Sequence, residues 1–524
     1  MTLLDGFMAL GGLGLLLLGM SLLTDGLKAA AGDRLQGFLQ NGTATRRRAA
    51  FSGFAITALV QSSSAVVVAL LGFTNAGMLT LRQAAWVVFG SNVGTTMTAW
   101  LVAFVGLKFN IGIVAWPMIG VGMLLRIVRQ GKHLGDVGLA IAGFGVLFVG
   151  IDTLSTSFSH LVTVIPVERF TLTGPFGIVL ALLIGLLLTA LVQSSSAALA
   201  IVLTASASGM FSPLAGAAVV IGANLGTTVT ALLASVAATA NAKRLAAVHV
   251  MMNAATGLVA LVLLAPLWWL ANWLSAVDGL PDLATGLAAF HTMFNLLGLV
   301  LMVFLAERII QRAKRLFPVP AVRSGQPRYL DRTVMQVPAM AISAIQNEQQ
   351  RVFEQHLMRF RQLLPVAGAS AQPQPDVATG KLLEVIAHFA DQLNRQTLSS
   401  DQALLLTRLH GIRYRLNDLR SLLEQLEQYA ATDHLQCLGV PMHDALQAVL
   451  TGVSQSATDR QQRNAQLQQL QLQREQLHDE IMQGLASGRL TAPQASAQLQ
   501  LASQWWRASE LLVACANQLY PVVD

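Results

Sequence analysis

Through residue 317 the apolar positions are nearly continuous. Uncharged stretches run from Ala49 to Leu81, Gln83 to Leu107, Thr171 to Ala242, Leu245 to Val277 and Leu283 to Ala306. A helix needs about 20 such residues to cross a bilayer, so the pattern predicts a series of membrane helices, beginning with a permanent span from Gly6 to Leu27. Prolines at 318, 320, 327 and 338 then mark a linker over 318–337. Beyond it apolar residues recur with helical period on a polar background. Leu467, Leu470, Leu477 and Ile481 form one seam of a Gln-rich stretch, which predicts an antiparallel helical bundle over 338–524. A break at Pro365 to Gly380 separates its first helix from the others.

Charge sharpens the division. Residues 1–317 hold 17 Lys+Arg and 9 Asp+Glu, whereas 318–524 hold 17 and 18. The basic pI of 9.8 therefore belongs to loops beside a membrane, not to a nucleic-acid surface. Lys and Arg in short loops favour the cytoplasmic side. Arg46 to Arg48, Arg82, Arg126 with Arg129 and Lys132, Lys243 with Arg244, and Arg308 to Arg315 all fall there only if Ala49 to Leu81 enters and leaves on one face. The expectation is a re-entrant hairpin turning near Gln61 to Ser64. A single plain span in its place would put Arg126, Arg129 and Lys132 outside.

Internal repetition points the same way. Thr57-Ala-Leu-Val-Gln-Ser-Ser-Ser-Ala65 recurs letter for letter at Thr189 to Ala197, and Gly90-Ser-Asn-Val-Gly-Thr-Thr-Met-Thr-Ala99 recurs as Gly222-Ala-Asn-Leu-Gly-Thr-Thr-Val-Thr-Ala231, both at an offset of 132. A weaker match sets Gly12 to Gly19 against Gly143 to Gly150 at 131. Three crossings separate the copies: the first helix, about 84–106 and about 110–128. Repeat 1 (about 5–132) and repeat 2 (about 137–310) should therefore be mutually inverted, as in secondary transporters with a midplane site. A second hairpin is expected at about 175–206, followed by helices at about 213–237, 245–270 and 284–306. The fold class is an all-α membrane protein, with inverted repeats, two re-entrant hairpins and a cytoplasmic helical bundle.

The repeated motifs carry the candidate chemistry. Sodium is a hard cation that takes several oxygens at once. Gln61, Ser62, Ser63 and Ser64 supply hydroxyls and carbonyls at one turn, and Gln193, Ser194, Ser195 and Ser196 at the other. A hairpin tip also starts a helix, whose free N–H groups suit an anion. Asn92, Thr95 and Thr96, with Asn224, Thr227 and Thr228, read as interruptions of neighbouring helices, relaxed by Gly94 and Gly226. These motifs contain no Lys, Arg, Asp or Glu. An anion held there needs a co-bound cation, since an unpaired buried ion costs several kcal/mol. Close packing is the plainer explanation of Ser, Thr and Gly in membrane helices, and the two copies in matched order outweigh it.

Those paired motifs resemble the sodium/phosphate cotransporter family, which includes the animal type II carriers and bacterial relatives. The resemblance covers about residues 5 to 310. It implies sodium and phosphate binding by Gln61 to Ser64 and Gln193 to Ser196, with Thr227 and Thr228 as sodium ligands. Electrogenic animal carriers have an aspartate soon after the first Gly-Ser-Asn motif; Ala99 to Leu107 contains no acid. Bacterial members often append a domain similar to the phosphate regulator PhoU, which suits the bundle. Such domains can bind metal through Glu/Asp-x-x-x-Asp, and Glu475 to Asp479 has that spacing. Like charges one turn apart are also the ordinary make-up of a solvated helix face.

Other signals are weaker. His249 with Asn253, and His291 with Asn295, stand one helical turn apart and suit interhelical hydrogen bonds. Trp268, Trp269 and Trp273 suit interfacial anchoring. Cys437 and Cys515 form neither a disulfide framework nor a zinc site. Gly131-Lys132-His133 and Gly380-Lys381-Leu382 lack the Ser or Thr of a phosphate loop. No base lies within the serine motifs, which argues against a hydrolase. The expectation is a non-enzyme: a sodium-coupled carrier of inorganic phosphate in the cytoplasmic (inner) membrane, working by alternating access, with sodium as coupling ion and no cofactor. A membrane phosphate sensor and a carrier of organic phosphate or another oxyanion are the alternatives. The bundle is the expected seat of homo-oligomer or regulatory contacts.

Overall fold

Helix ends fall where cap residues and prolines stand. The computed structural model describes residues 3–31, 42–106, 112–164, 172, 174–236, 238–275, 282–318, 325–331, 334–364, 377–396, 398–430, 439–454 and 459–520, and every regular element among them is helical. The chain separates into two units, Met1–Val319 and Pro320–Asp524.

The first unit comprises α1 (Leu3–Ala31), α2 (Arg46–Val60), α3 (Ser63–Asn75), α4 (Leu81–Gly94) and α5 (Thr96–Trp100), which continues as a π-helical turn, Leu101–Gly106. Then follow α6 (Gly112–Val128), α7 (His133–Val164), α8 (Gly174–Val192), α9 (Ser195–Ala207), α10 (Pro213–Ser235), α11 (Ala240–Val262), α12 (Leu264–Ser275) and α13 (Leu283–Leu316). Among the described residues seven helical segments are long and apolar enough to cross a membrane: Gly6–Ala31, Leu81–Phe104, His133–His160, Gly174–Val192, Pro213–Ser235, Ala240–Val262 and Leu283–Leu316. Large apolar side chains such as Phe7, Trp116, Phe176, Leu191, Val262 and Phe304 point outward. A surface of that kind is at home only against lipid, so this is a multi-pass membrane protein.

Three elements differ from expectation. The helix expected over 245–270 is two, α11 and α12, joined through Leu263. Pro266 accounts for the break, because it lacks the N–H that would bond the Val262 carbonyl and its ring would strike that carbonyl. Helix α6 has 17 described residues, or about 25 Å at 1.5 Å per residue, short of a ~30 Å core; residues 107–111 lie outside the described set. The interruption expected at Asn224 to Thr228 does not occur, since α10 runs unbroken through it. Its counterpart at Thr95, between α4 and α5, does.

Glycine sets the helix spacing. A Cβ on Gly53 would lie 1.9 Å from the Val87 carbonyl oxygen, one on Gly90 1.7 Å from that of Ala50, and one on Gly94 2.6 Å from that of Phe54. The same contacts recur 132 residues on: Gly185 against Val219 at 2.0 Å, Gly222 against Leu182 at 1.9 Å, and Gly226 against Leu186 at 2.7 Å. Ala50 meets Gly90 and Phe54 meets Gly94, as Leu182 meets Gly222 and Leu186 meets Gly226, so α2 runs parallel to α4, and α8 to α10. The starts of α2 and α4 stand side by side, where Gln83 Nε2 donates to the Thr43 carbonyl at 3.3 Å. Helices α1 and α7, which carry the weaker repeat, pack on each other through Gly19 against Leu147, Gly26 against Ala140 and Gly150 against Leu16. Here partner numbers fall as the others rise, so these equivalent helices are antiparallel.

The second unit has a 3-10 turn (Val334–Gln336) and helices α14 (Pro338–Leu363), α15 (Val377–Asn394), α16 (Ser400–Ala430), α17 (Gly439–Ser454), α18 (Arg460–Ala486) and α19 (Ala492–Leu519). Phe360 packs edge-on to Trp505 with centroids 4.9 Å apart. Arg359 pairs with both carboxylate oxygens of Glu427 at 2.7 and 2.8 Å. On α18, Leu470 and Ile481 are buried and Leu467 and Leu477 half-buried, giving the expected seam. Cys515 is buried, which pushes its thiol up to about 12; Cys437 lies outside the described residues, as do Pro320 and residues 365–376 of the expected break.

Candidate functional site

Helix α2 ends at Gln61 and α8 at Gln193, and these are the only non-glycine residues with positive φ among those described, at 57° and 55°. The left-handed conformation costs an ordinary residue roughly 1–2 kcal/mol, so it persists only where the surroundings enforce it. At Gln61 the backbone N–H closes on the Thr57 carbonyl at 2.8 Å and Nε2 on the Ala58 carbonyl at 2.5 Å. At Gln193 the N–H closes on Thr189 at 2.8 Å. The chain then re-enters a helix at once. Ser62 caps α3 by accepting from the Ala65 N–H at 3.3 Å, and Ser194 caps α9 by accepting from the Ala197 N–H at 3.2 Å. Each glutamine thus turns one helix into another whose first N–H groups, at Ser63 and Ser64 or at Ser195 and Ser196, have no acceptor within their own helix.

The two turns are joined through Thr98. Its hydroxyl donates to Gln61 Oε1 at 2.8 Å and lies 3.2 Å from Ser196 Oγ, while Ser196 Oγ reaches the Gln61 carbonyl at 3.5 Å. Thr98 stands inside the repeated Gly-Ser-Asn motif, seven residues after Ser91, yet sequence reasoning passed over it. The two copies are unequal. Gln61, Ser63, Ser195 and Ser196 are buried and Ser62, Ser64 and Ser194 partly so, whereas Gln193 is exposed. No hydrogen bond among the described residues ties Gln193 or Ser194 to the first turn.

A second cluster lies on the neighbouring helices. Asn92 Nδ2 donates to Asn253 Oδ1 at 2.7 Å, and Asn253 Nδ2 reaches both the Asn224 carbonyl and Thr227 Oγ1 at 3.4 Å. Asn253 therefore links the motif of the first copy to that of the second. Thr95, Thr96, Thr227 and Thr228 each donate their hydroxyl proton to the carbonyl three residues back, at 2.6, 2.7, 2.6 and 2.7 Å. A hydroxyl whose proton is so occupied turns its lone pairs outward, the state in which oxygen suits a cation. Gly94 and Gly226, expected to relax these helices, serve instead to admit the Thr57 and Thr189 side chains, whose Cβ atoms would lie 2.7 and 2.6 Å from an added methyl.

The histidines depart from expectation. His249 and His291 are buried, and neither ring has a hydrogen-bond partner among the described residues. Asn295 bonds its own helix, at the His291 carbonyl, 2.9 Å away. Only Asn253 makes the interhelical bond foreseen for these pairs. Glu475 and Asp479 lie on an exposed face, and among the described residues no three His, Cys, Asp or Glu gather as a metal site.

Known proteins bear on this geometry. The profile of the Na+/Pi-cotransporter family matches residues 15–156 and 173–317, more than half the chain. The uncharacterized protein YqeW of Bacillus subtilis is 30% identical over 314 residues, which cover 58% of this chain and 95% of that one. The putative inorganic phosphate export protein YjbB of Salmonella typhimurium is 27% identical over 347 residues, 66% of this chain and 62% of that one; YjbB of Escherichia coli K12 is 26% identical over the same lengths. The chain thus spans just under two thirds of the YjbB proteins. No solved structure matches it. Two copies of one broken-helix motif, meeting at buried hydroxyls inside the matched region, agree with that profile: the chain belongs to the Na+/Pi-cotransporter family.

Proposed function

We propose that this protein carries inorganic phosphate across the cytoplasmic membrane together with sodium, by alternating access, and that the two Gln-Ser-Ser-Ser turns hold the substrate. The observation that carries the reading is the junction of Gln61, Thr98 and Ser196, where turns 132 residues apart share one hydroxyl network. Amide groups at the starts of α3 and α9 face the anion, an arrangement that helix termini favour. The outward lone pairs of Thr95, Thr96, Thr227 and Thr228, with the side-chain Oδ1 atoms of Asn92 and Asn224, whose Nδ2 groups donate elsewhere, receive sodium. Because the described site has no charged side chain hydrogen-bonded to it, each ion depends on the other for neutralisation, and coupling follows. The parallel run of α2 with α4, and of α8 with α10, supports hairpins that enter and leave on one face. Helix α8 has 19 residues and could cross by length, so its return through α9 is what the hairpin reading requires. The second unit is read as a cytoplasmic, PhoU-like regulator.

The relatives' names speak of export. Net direction is set by the gradients imposed, so flux should be measured both ways in proteoliposomes. We expect sodium-stimulated phosphate movement in both directions, abolished by Gln193→Ala or Ser194→Ala in correctly inserted protein. Phosphate binding without flux would favour a sensor instead, and normal flux in both variants would remove the turns from the mechanism.

A further inference from the structure

Between α2, α4 and α13 lies a groove of about 500 Å³ that the transport mechanism does not use. Its walls are single helix faces. Ala50, Phe51 and Phe54 come from α2, Trp86 and Val93 from α4, and Leu299 and Val303 from α13. Phe51 and Val303 are 63% and 58% exposed on the outward surface of the unit, so the groove opens toward lipid. Its lining is apolar except at one end, where Arg46 and Arg47 stand in the first turn of α2.

These arginines are handled differently from their neighbour. Arg82, at the start of the adjacent helix α4, is neutralised by Glu307 at 2.5 Å. No carboxylate among the described residues pairs with Arg46 or Arg47; Arg46 instead stands over the Trp86 ring at 6.0 Å. The positive end of the α2 dipole adds to their field. A channel lined by hydrocarbon and closed at the water side by two cations matches a ligand with an anionic head and an apolar tail.

We propose that this groove binds an anionic phospholipid, its headgroup phosphate on Arg46 and Arg47 and one acyl chain along Phe51, Phe54, Leu299 and Val303. The site lies on the helix that ends in Gln61, so an occupied groove braces the first turn against α4 and α13. The proposal does not depend on sodium coupling or on phosphate flux.

Native mass spectrometry of the full chain, titrated with phosphatidylglycerol or phosphatidylcholine, tests it. We expect one phosphatidylglycerol retained in preference to phosphatidylcholine. Arg46→Gln and Arg47→Gln should each weaken that retention about fivefold, the effect of one arginine near an anionic lipid. Val303→Trp leaves the charges intact, fills the groove and should weaken retention of both lipids. Unchanged phosphatidylglycerol preference in the Arg46→Gln/Arg47→Gln double variant would overturn the headgroup assignment, and unchanged retention in Val303→Trp would overturn the tail's. Displacement of the lipid by millimolar inorganic phosphate would reassign the cationic end to the free ion.

Discussion

Thr98 is the residue on which the two copies converge, and its role follows from one hydroxyl placed between Gln61 Oε1 and Ser196 Oγ. Valine has nearly its shape and none of its hydrogen bonds, so Thr98→Val separates packing from polar linkage. If the network holds the two turns in register, that variant should fold normally and lose at least about tenfold in sodium-stimulated uptake, equivalent to ~1.4 kcal/mol. Uptake at the parent rate would make Thr98 a packing residue only. The glutamines were visible in the sequence because they stand in a nine-residue string copied intact. Thr98 was not, since its partners are 37 and 98 residues away, and Asn253 was legible as an interhelical hydrogen-bonding residue but not as the partner of Asn92, 161 residues away, because no local pattern records such a contact.

At the scale of elements, the pairing of α2 with α4 and of α8 with α10 rests on positions that admit no side chain. A methyl at Gly90 or Gly222 would lie within 2 Å of a backbone carbonyl oxygen on the facing helix, and backbone cannot rotate out of the way. Gly90→Ala and Gly222→Ala should therefore lower thermal stability in detergent by several degrees, as for overpacking of ~1–3 kcal/mol, whereas Gly14→Ala, with open space around it, should not. Equal melting of all three would show that the helices adjust freely. The repeat made these glycines legible as copies, and close packing, the plainer explanation of glycine in membrane helices, is what they serve; the repeat does not say which helix each one faces. The same blindness explains α10. Gly226 in a Gly-Thr-Thr string looks like a weak point, yet in the fold it is where Thr189 of the neighbouring helix sits. Pro266 was readable as a breaker and was passed over because the stretch around it is uniformly apolar.

At the scale of the molecule, the parallel course of α2 and α4 makes a prediction about sidedness. Arg48 and Arg82 should lie on one face of the bilayer. In a background lacking Cys437 and Cys515, Arg48→Cys and Arg82→Cys should react with an impermeant thiol reagent from the same side; reaction from opposite sides would turn the hairpin into a plain span and end the proposed meeting of the two turns. The inequality of those turns carries a last consequence. Gln61 is enclosed and Gln193 is exposed, although both stand in copies of one string. On the transport reading, the missing posture needs no new parts: let each half adopt the stance of its sibling, so that Gln193 is enclosed as Gln61 is uncovered, and the doorway has changed sides.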